Sequence, residues 1–203
     1  IFQLAKQIAD FHLRAKPAAV DSRYAAADTL KHAIEDNFSV CKSKMSEPEW
    51  LEKINKIESW TDKALKENKV VIKNRKHQGY IRDCHGDLHL GNIIYHNHTI
   101  TIFDRIEFNE DFRIIDVLDE IAFLTMDLKA KQHFFEAYQL LNHYLEITGD
   151  YKNLNLLVFY EVYRAMVRAK ISLLQEKQEQ FRNYIDLAIR LLEPKIPRLI
   201  ITY

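Results

Sequence analysis

Three polar residues, Asp87, Asn92 and Asp104, flank two short strand-like segments near the middle of the chain. Asp87 and Asn92 belong to the string HGDLHLGN, which is followed by two apolar segments separated by a polar turn at 96–98. An antiparallel pair of strands holds its backbones about 5 Å apart. We therefore expect the residue before the first strand, Asn92, and the residue after the second, Asp104, to finish side by side.

These side chains suit phosphoryl transfer. A carboxamide oxygen on Asn92 and a carboxylate on Asp104 are hard oxygen ligands, which hold Mg²⁺ and leave positions for phosphate and water. Asp87 lies five residues before Asn92 on the same loop, near enough to face the substrate. In phosphoryl transfer, one carboxylate orients or deprotonates the attacking hydroxyl while metal ions bridge the nucleotide phosphates.

The string HGDLHLGN, followed after the hairpin by IFD, resembles the catalytic loop and metal-binding aspartate of the aminoglycoside phosphotransferase and choline kinase-like enzymes, relatives of the protein kinases. The resemblance implies that Asp87 is the catalytic base and that His85 anchors the loop. It also implies that Asn92 and Asp104 bind Mg²⁺ and, through it, ATP or GTP. His89 is a motif position with a supporting role.

A narrower resemblance covers residues 80–128, and weaker similarity extends to 9–14 and 163–170. It is to the bacterial proteins usually labelled bifunctional aminoglycoside phosphotransferase/ATP-binding proteins, in which a kinase-like domain precedes a P-loop domain. The resemblance implies that Asp116 braces the catalytic loop.

The same resemblance implies a domain organisation. Residues 1–196 would form the large, C-terminal lobe of a kinase-like phosphotransferase, and 197–203 would be the clipped first strand of an adjoining P-loop domain. The small nucleotide-covering lobe has no counterpart because helical sequence begins at residue 1, so this piece alone is expected to be a poor kinase. Arg105 also departs from the pattern: it either pairs with Glu107, a supporting residue, or with a phosphate, or weakens metal binding.

We therefore expect the intact protein to transfer the γ-phosphoryl group of ATP or GTP to a hydroxyl of a small molecule, which the sequence does not identify. One alternative is a metal-dependent phosphoesterase, suggested by the string GDLH, although we find no further ligand motifs for a two-metal centre. The other is a non-catalytic kinase-like scaffold that docks or regulates a neighbouring P-loop domain.

Other charged groups near the motif leave alternatives open. Imidazoles with Asp87 and Asp104 would suit zinc or iron; the histidines concerned are His85, His89, His96 and His98. Three basic residues one helical turn or less apart either approach a phosphate or form a solvated helix face: Arg164, Arg168 and Lys170. Three acidic residues either line a pocket for a cationic substrate or are surface charge: Asp119, Glu120 and Asp127.

The elements around the motif are predicted to be mainly helical, giving a mainly α fold with one small β-hairpin. Apolar residues recur at helical spacing before and after the hairpin. The predicted helices cover 2–12, 22–40, 46–67, 116–127, 129–146, 154–178 and 180–192. Ser46 is expected to cap the third helix, with Pro48 in its first turn, and the basic segment 70–79 is expected to be a connection.

Composition excludes several classes of protein. Lys plus Arg (29) balance Asp plus Glu (29), so no net field attracts nucleic acid or anionic lipid. No apolar run approaches the roughly 20 residues that a membrane helix needs. The two cysteines, Cys41 and Cys84, match no metal-binding spacing and suit a reducing compartment. We expect a cytoplasmic protein without nucleic-acid or membrane partners.

Overall fold

The computed structural model of the chain describes residues 1–193. Within them lie seven α-helices: α1 (Phe2–Arg14), α2 (Ala27–Lys44), α3 (Pro48–His77), α4 (Val117–Ala130), α5 (Phe134–Thr148), α6 (Asn155–Leu174) and α7 (Gln178–Leu191). Four short strands accompany them: β1 (Ile81–Asp83), β2 (Ile93–His96), β3 (Thr99–Ile102) and β4 (Ile114–Asp116). The fold is mainly helical with two small antiparallel sheets, so the expected fold class is confirmed.

The expected hairpin is formed by β2 and β3. Ile93 pairs with Ile102 and His96 with Thr99, which leaves a two-residue turn at Asn97 and His98. Both turn residues have positive φ, 48° and 61°. This is the pattern of the type I′ turn, whose twist matches that of the flanking strands.

The second sheet joins β1 to β4, pairing Ile81 with Asp116 and Asp83 with Ile114. This sheet was not predicted from the sequence, because each strand has only three residues and a long loop separates them. The sheet fixes the two ends of the segment that contains the hairpin. It therefore sets where the loop with the motif HGDLHLGN starts and where α4 begins.

Helix α4 lies at the centre of the core and packs against α5, α6 and α7. All of its residues except the last are buried. Four of the buried side chains are charged: Asp119, Glu120, Asp127 and Lys129. Because an unpaired buried charge is very costly, these side chains must have partners, and they do. The three carboxylates among them, described below, hold the loop of the motif.

Helix α3 corrects two expectations. It continues to His77, through most of the segment 70–79 that we expected to be a connection, because Ile72 and Arg75 on its last turns are buried. Its N-cap is Glu47 rather than Ser46, with no side-chain cap, although Pro48 does occupy the first turn. Helix α2 begins at Ala27, five residues later than predicted.

The cysteines Cys41 and Cys84 are both free and buried. Across residues 1–193, no helix combines the length and apolar character needed to cross a membrane. The strand expected at 197–203 lies outside the described residues.

Candidate functional site

The loop that carries the motif leaves β1 and is pressed against the segment before β4. Gly86 has φ +90°, and a Cβ at this position would lie 2.7 Å from the carbonyl oxygen of Phe112 and 3.1 Å from Arg113 Cα. Only glycine accepts both this backbone conformation and this approach. The glycine of the motif is therefore required for the loop to lie where it does.

Glu120 of α4 holds the loop from beneath. Its Oε1 accepts the backbone N–H of Gly86 at 2.6 Å, and its Oε2 lies 2.7 Å from His12 Nε2 of α1. The other ring nitrogen of His12 lies 2.9 Å from the Tyr144 hydroxyl of α5. Burial opposes ionisation of Glu120, but its bonds to His12 and to the loop backbone outweigh this and lower its pKa. The carboxylate thus ties α1 and α4 to the residue before Asp87.

Arg164 of α6 holds the same glycine from the other side. It forms two hydrogen bonds with Asp119, of 2.7 and 2.8 Å, and its Nη1 donates to the Gly86 carbonyl at 3.4 Å. Arg164 and Asp119 are both buried. The pair excludes one of the two alternatives left open for each residue: Arg164 does not lie on a solvated helix face, and Asp119 is not surface charge.

His85 links the two halves of the site. Its Nδ1 accepts the backbone N–H of Asp87 at 3.3 Å, so Nε2 carries the proton and donates to the Phe103 carbonyl at 2.8 Å. One imidazole therefore fixes the residue expected to be the base and the residue just before Asp104. His85 thus contacts both segments of the site, and its role as the anchor of a catalytic loop stays a prediction.

Asp87 and Asn92 are in direct contact. Asn92 Nδ2 donates to the Asp87 carbonyl at 3.0 Å and to Asp87 Oδ2 at 3.1 Å, which leaves the Asn92 Oδ1 atom for another partner. Burial opposes ionisation of Asp87, but the hydrogen bond and charge of His89 and the charge of Arg168 lower the pKa of this carboxyl. Asp87 is thus an ionised carboxylate at neutral pH, held by the residue expected to bind metal.

The hairpin brings Asp104 close to Asn92, although the two residues are not directly opposite each other. The residue opposite Asn92 is Phe103, whose N–H donates to the Asn92 carbonyl at 3.1 Å, and Asp104 follows it. Asp104 has φ +61°, a left-handed conformation that Asp tolerates better than most residues. Its carboxylate is exposed, and it has no hydrogen-bond or ion-pair partner among residues 1–193.

His89 supports the loop from within. Its Nδ1 accepts the N–H of Gly91 at 3.0 Å, and its Nε2 lies 3.4 Å from Asp87 Oδ2. The next residue, Leu90, donates its N–H to the buried carboxylate of Asp127 at 3.0 Å. Asp127 therefore holds the loop from α4, and is neither a surface charge nor a pocket residue.

Asp116 lies elsewhere than the resemblance implies. It caps α4 through the N–H of Leu118 and forms a two-point ion pair with Arg75. Arg75 is fully buried and forms a second such pair with Asp150. Within the described chain, Asp116 makes no hydrogen bond to the loop 85–92. The contacts that brace the loop are made by other residues: Glu120, Arg164 and Asp127.

Arg105 does not pair with Glu107. Its guanidinium bonds to the Cys84 carbonyl at 2.9 Å and to the Asp83 carboxylate at 2.5 Å, which fixes the segment after Asp104 to the end of β1. Glu107 is exposed at the rim of the cavity described next.

A cavity of about 1150 Å³ opens beside the loop. Asp87 and Asp104 both line it, and its opposite wall is formed by α2 and α6. Phe108, which is 84% exposed, and Phe112 form an edge-to-face pair on its border. The cavity is large enough for a small-molecule ligand.

The histidines that were considered as ligands for zinc or iron do not come together as a metal site. His85 and His89 use their Nδ1 atoms on backbone N–H groups, and His96 and His98 are exposed on the hairpin. Among residues 1–193, the side chains grouped closely enough to hold a metal are His12, Cys84 and Glu120. Burial raises the pKa of the Cys84 thiol well above its ordinary value. Both ring nitrogens of His12 already have partners, Tyr144 and Glu120, and the second oxygen of Glu120 accepts the Gly86 N–H.

The residues that hold the loop were not predicted from the sequence. His12 and Arg164 lie in the segments 9–14 and 163–170, where the resemblance is weak, and their partners Glu120 and Asp119 were left undecided. The signal that identifies them is a charged residue placed within an otherwise apolar helix, which must find a buried partner.

Comparisons with known proteins give relatives without a described activity. The chain is 27% identical over 175 residues to the uncharacterized protein Rv2004c of Mycobacterium tuberculosis and, equally, to the uncharacterized protein Mb2027c of Mycobacterium bovis. The match covers 86% of this chain but only 35% of each relative. No family model and no solved structure matches the chain.

Proposed function

We propose that the protein is a phosphotransferase that moves the γ-phosphoryl group of ATP or GTP to a hydroxyl of a small molecule. One observation carries the proposal: the Asp87 carboxylate is bonded to the Asn92 carboxamide, and Asp87 shares a cavity with Asp104. The activity is proposed for the whole protein, because the chain spans about a third of the length of the relatives it matches.

Asp87 acts as the base. Its lowered pKa keeps it ionised at neutral pH, and its side chain is about one third exposed at the cavity. The acceptor hydroxyl oxygen bonds to the γ-phosphorus while the bond from that phosphorus to the leaving nucleoside diphosphate breaks. The hydroxyl proton passes to Asp87. A weakly basic carboxylate is sufficient, because such transition states are loose and catalysis depends mainly on position and charge.

Asn92 and Asp104 are the residues that would hold Mg²⁺. The donor set fits this ion, because Asn92 Oδ1 is left free by the bond from Nδ2 and the Asp104 carboxylate has no partner within the described residues. When bound, Mg²⁺ neutralises charge on the nucleotide phosphates. His85 links the loop of Asp87 to the segment that ends at Asp104 by accepting the Asp87 N–H and donating to the Phe103 carbonyl.

The remaining parts of the proposal follow from the sequence. The resemblance of the motif to aminoglycoside phosphotransferase and choline kinase-like enzymes supports a small-molecule acceptor and an adjoining P-loop domain. The two free, buried cysteines fit a reducing, cytoplasmic compartment.

The test is a phosphorylation screen on the full-length protein. ATP or GTP with Mg²⁺ is incubated with a panel of small hydroxyl compounds, and nucleoside diphosphate and phosphorylated product are measured by ³¹P NMR. We expect Mg²⁺-dependent transfer to at least one acceptor. Stoichiometric zinc, iron or manganese together with hydrolysis of phosphate esters would indicate the phosphoesterase instead. A protein that binds neither Mg²⁺ nor nucleotide would indicate the non-catalytic scaffold.

A further inference from the structure

Arg168 stands in the cavity wall with most of its hydrogen-bonding capacity unused. It lies one turn after Arg164 on α6, is half-buried and lines the cavity. Its Nε donates to the Tyr184 hydroxyl at 3.3 Å, and that hydroxyl in turn donates to Asp127 at 2.9 Å. A guanidinium has five N–H donors, so several remain after this bond.

The nearest further group does not satisfy them. Arg168 Nη1 lies 3.3 Å from His89 Nε2. His89 Nδ1 already accepts the Gly91 N–H, so the imidazole proton is on Nε2 and points toward Asp87. Two N–H groups therefore face each other, and Arg168 gains no acceptor from this contact.

The neighbouring basic residues differ from Arg168 because each has a carboxylate. Arg164 is paired with Asp119, and Lys170 with Asp36 at 2.8 Å. In the described part of the chain, no carboxylate lies within ion-pair distance of Arg168. Its charge lowers the pKa of the Asp87 carboxyl, but no carboxylate among residues 1–193 is bonded to it, so its remaining N–H groups are left for a bound group.

Asn37 gives a second, independent indication. It lies on α2, which packs against α6, and it also lines the cavity. The side chain is only 2% exposed, yet its Nδ2 has no hydrogen-bond partner among residues 1–193. A buried donor without a partner is rare in folded proteins. Both unsatisfied groups on this wall are donors, so the missing partner is an acceptor of hydrogen bonds.

We infer that Arg168 and Asn37 form a binding site for an oxyanion, and that the acceptor is a small hydroxyl compound carrying a carboxylate or phosphate near the hydroxyl that reacts. This inference rests on the proposed function and specifies its acceptor. Arg168 Nη1 and Asp87 Oδ2 both lie within 3.4 Å of the same imidazole nitrogen, so the anionic group is bound close to the base.

The nucleotide's γ-phosphoryl group is the other source of an oxyanion. The structure favours the acceptor, because Arg168 and Asn37 belong to the wall formed by α2 and α6, whereas the candidate metal ligands Asn92 and Asp104 flank the hairpin.

The first experiment measures binding without nucleotide. Inorganic phosphate and two matched pairs, glucose 6-phosphate with glucose and glycerate with glycerol, are titrated into the full-length protein by calorimetry. Arg168→Gln is compared with Arg182→Gln, an exposed arginine of α7 paired with Glu47. We expect phosphate to bind and at least one charged probe to bind about tenfold or more tightly than its neutral partner, a difference that Arg168→Gln abolishes and Arg182→Gln preserves. Absence of phosphate binding, or equal binding by both variants, would overturn the inference.

Asn37→Leu provides a readout that a structural role would not give. Leucine has a similar shape and removes the unsatisfied donor, so we expect the Tm to rise while phosphate affinity falls. A lower Tm would show that Asn37 stabilises the fold, and unchanged phosphate affinity would show that it does not contact the anion. Either result would contradict its place in the site.

Nucleotide titrations separate this inference from the proposed function. If Arg168→Gln weakens binding of ATP with Mg²⁺ but not of the anionic probes, the acceptor inference is wrong while phosphotransfer stands. If the probes depend on Arg168 but no acceptor is phosphorylated, the oxyanion site stands while the proposed function fails.

Discussion

The buried carboxylate of Glu120 lies 2.7 Å from His12 Nε2 and, through its second oxygen, 2.6 Å from the backbone nitrogen of Gly86. Helix α1 is thereby connected to the residue that precedes Asp87. Since a carboxylate with two partners has few alternative positions, this contact restricts the position of the loop. The position of the proposed base is thus set by residues far away in sequence.

The Glu120 contact makes stability depend on acid. Because the pKa of Glu120 is lower in the folded protein than its ordinary value of 4.5, protonation favours the unfolded state. Its contribution is complete above that ordinary value and is lost as the pH falls through the folded pKa. We predict that Glu120→Gln lowers the free energy of unfolding by about 1–3 kcal/mol at pH 7.

The same variant should lose less stability than the wild type does as the pH falls below 4.5, the ordinary pKa of a glutamate. Chemical denaturation at several pH values measures this slope, with Glu52→Gln, an exposed residue of α3, as the control. An equal slope for wild type and Glu120→Gln would contradict the assignment.

Gly86 and Gly149 form a matched pair for testing the loop position. Both have positive φ, but a Cβ at Gly149 meets nothing within 4 Å, whereas one at Gly86 meets the Phe112 carbonyl at 2.7 Å. We predict that Gly149→Ala costs about 1 kcal/mol of stability. Gly86→Ala should cost about 1–3 kcal/mol more, because backbone atoms must move. Thermal and urea denaturation of the two variants would reveal the difference, and equal costs would show that the loop is not tightly packed there.

The fully buried Arg75 provides a third test. Removing it leaves the carboxylates of Asp116 and Asp150 buried without a counter-charge. We predict that Arg75→Met lowers the free energy of unfolding by about 3–5 kcal/mol. Arg75→Lys should cost less, since it keeps the charge but loses the two-point geometry. If Arg75→Met has a stability close to that of the wild type in urea denaturation, the ion pairs do not hold α3 to α4.

The local features of the site could be predicted from the sequence, whereas the distant residues that hold the loop in place could not. The hairpin is encoded within a few residues, including the polar turn at Asn97 and His98, whereas the anchoring role of His85 was implied only by the family resemblance. In contrast, Glu120 and His12 lie 108 residues apart, and Arg75 lies 75 residues from Asp150. A single sequence carries periodicity and turn chemistry but not such pairings. The segment 70–79 was misread for this reason, because the partners that bury Arg75 are distant.

Asp104 tests the metal part of the proposal. Its exposed carboxylate has no partner in the described chain, so Asp104→Asn should leave stability nearly unchanged. Losing one anionic ligand should raise the Mg²⁺ concentration needed for half-maximal turnover by about tenfold or more. Turnover against Mg²⁺ concentration measures this, with Asp62→Asn on the exposed face of α3 as the control. An unchanged Mg²⁺ requirement would remove Asp104 from the ligand set.

The central claim is that Asp87 is the base of a phosphoryl transfer, and the most direct measurement compares Asp87→Asn with wild type in the full-length protein. Both kcat for transfer and the Kd for ATP with Mg²⁺ are determined. We predict that kcat falls by roughly 10²–10⁴-fold or more, while the nucleotide Kd changes little, because the base acts on the acceptor hydroxyl. Wild-type turnover in Asp87→Asn would contradict the account.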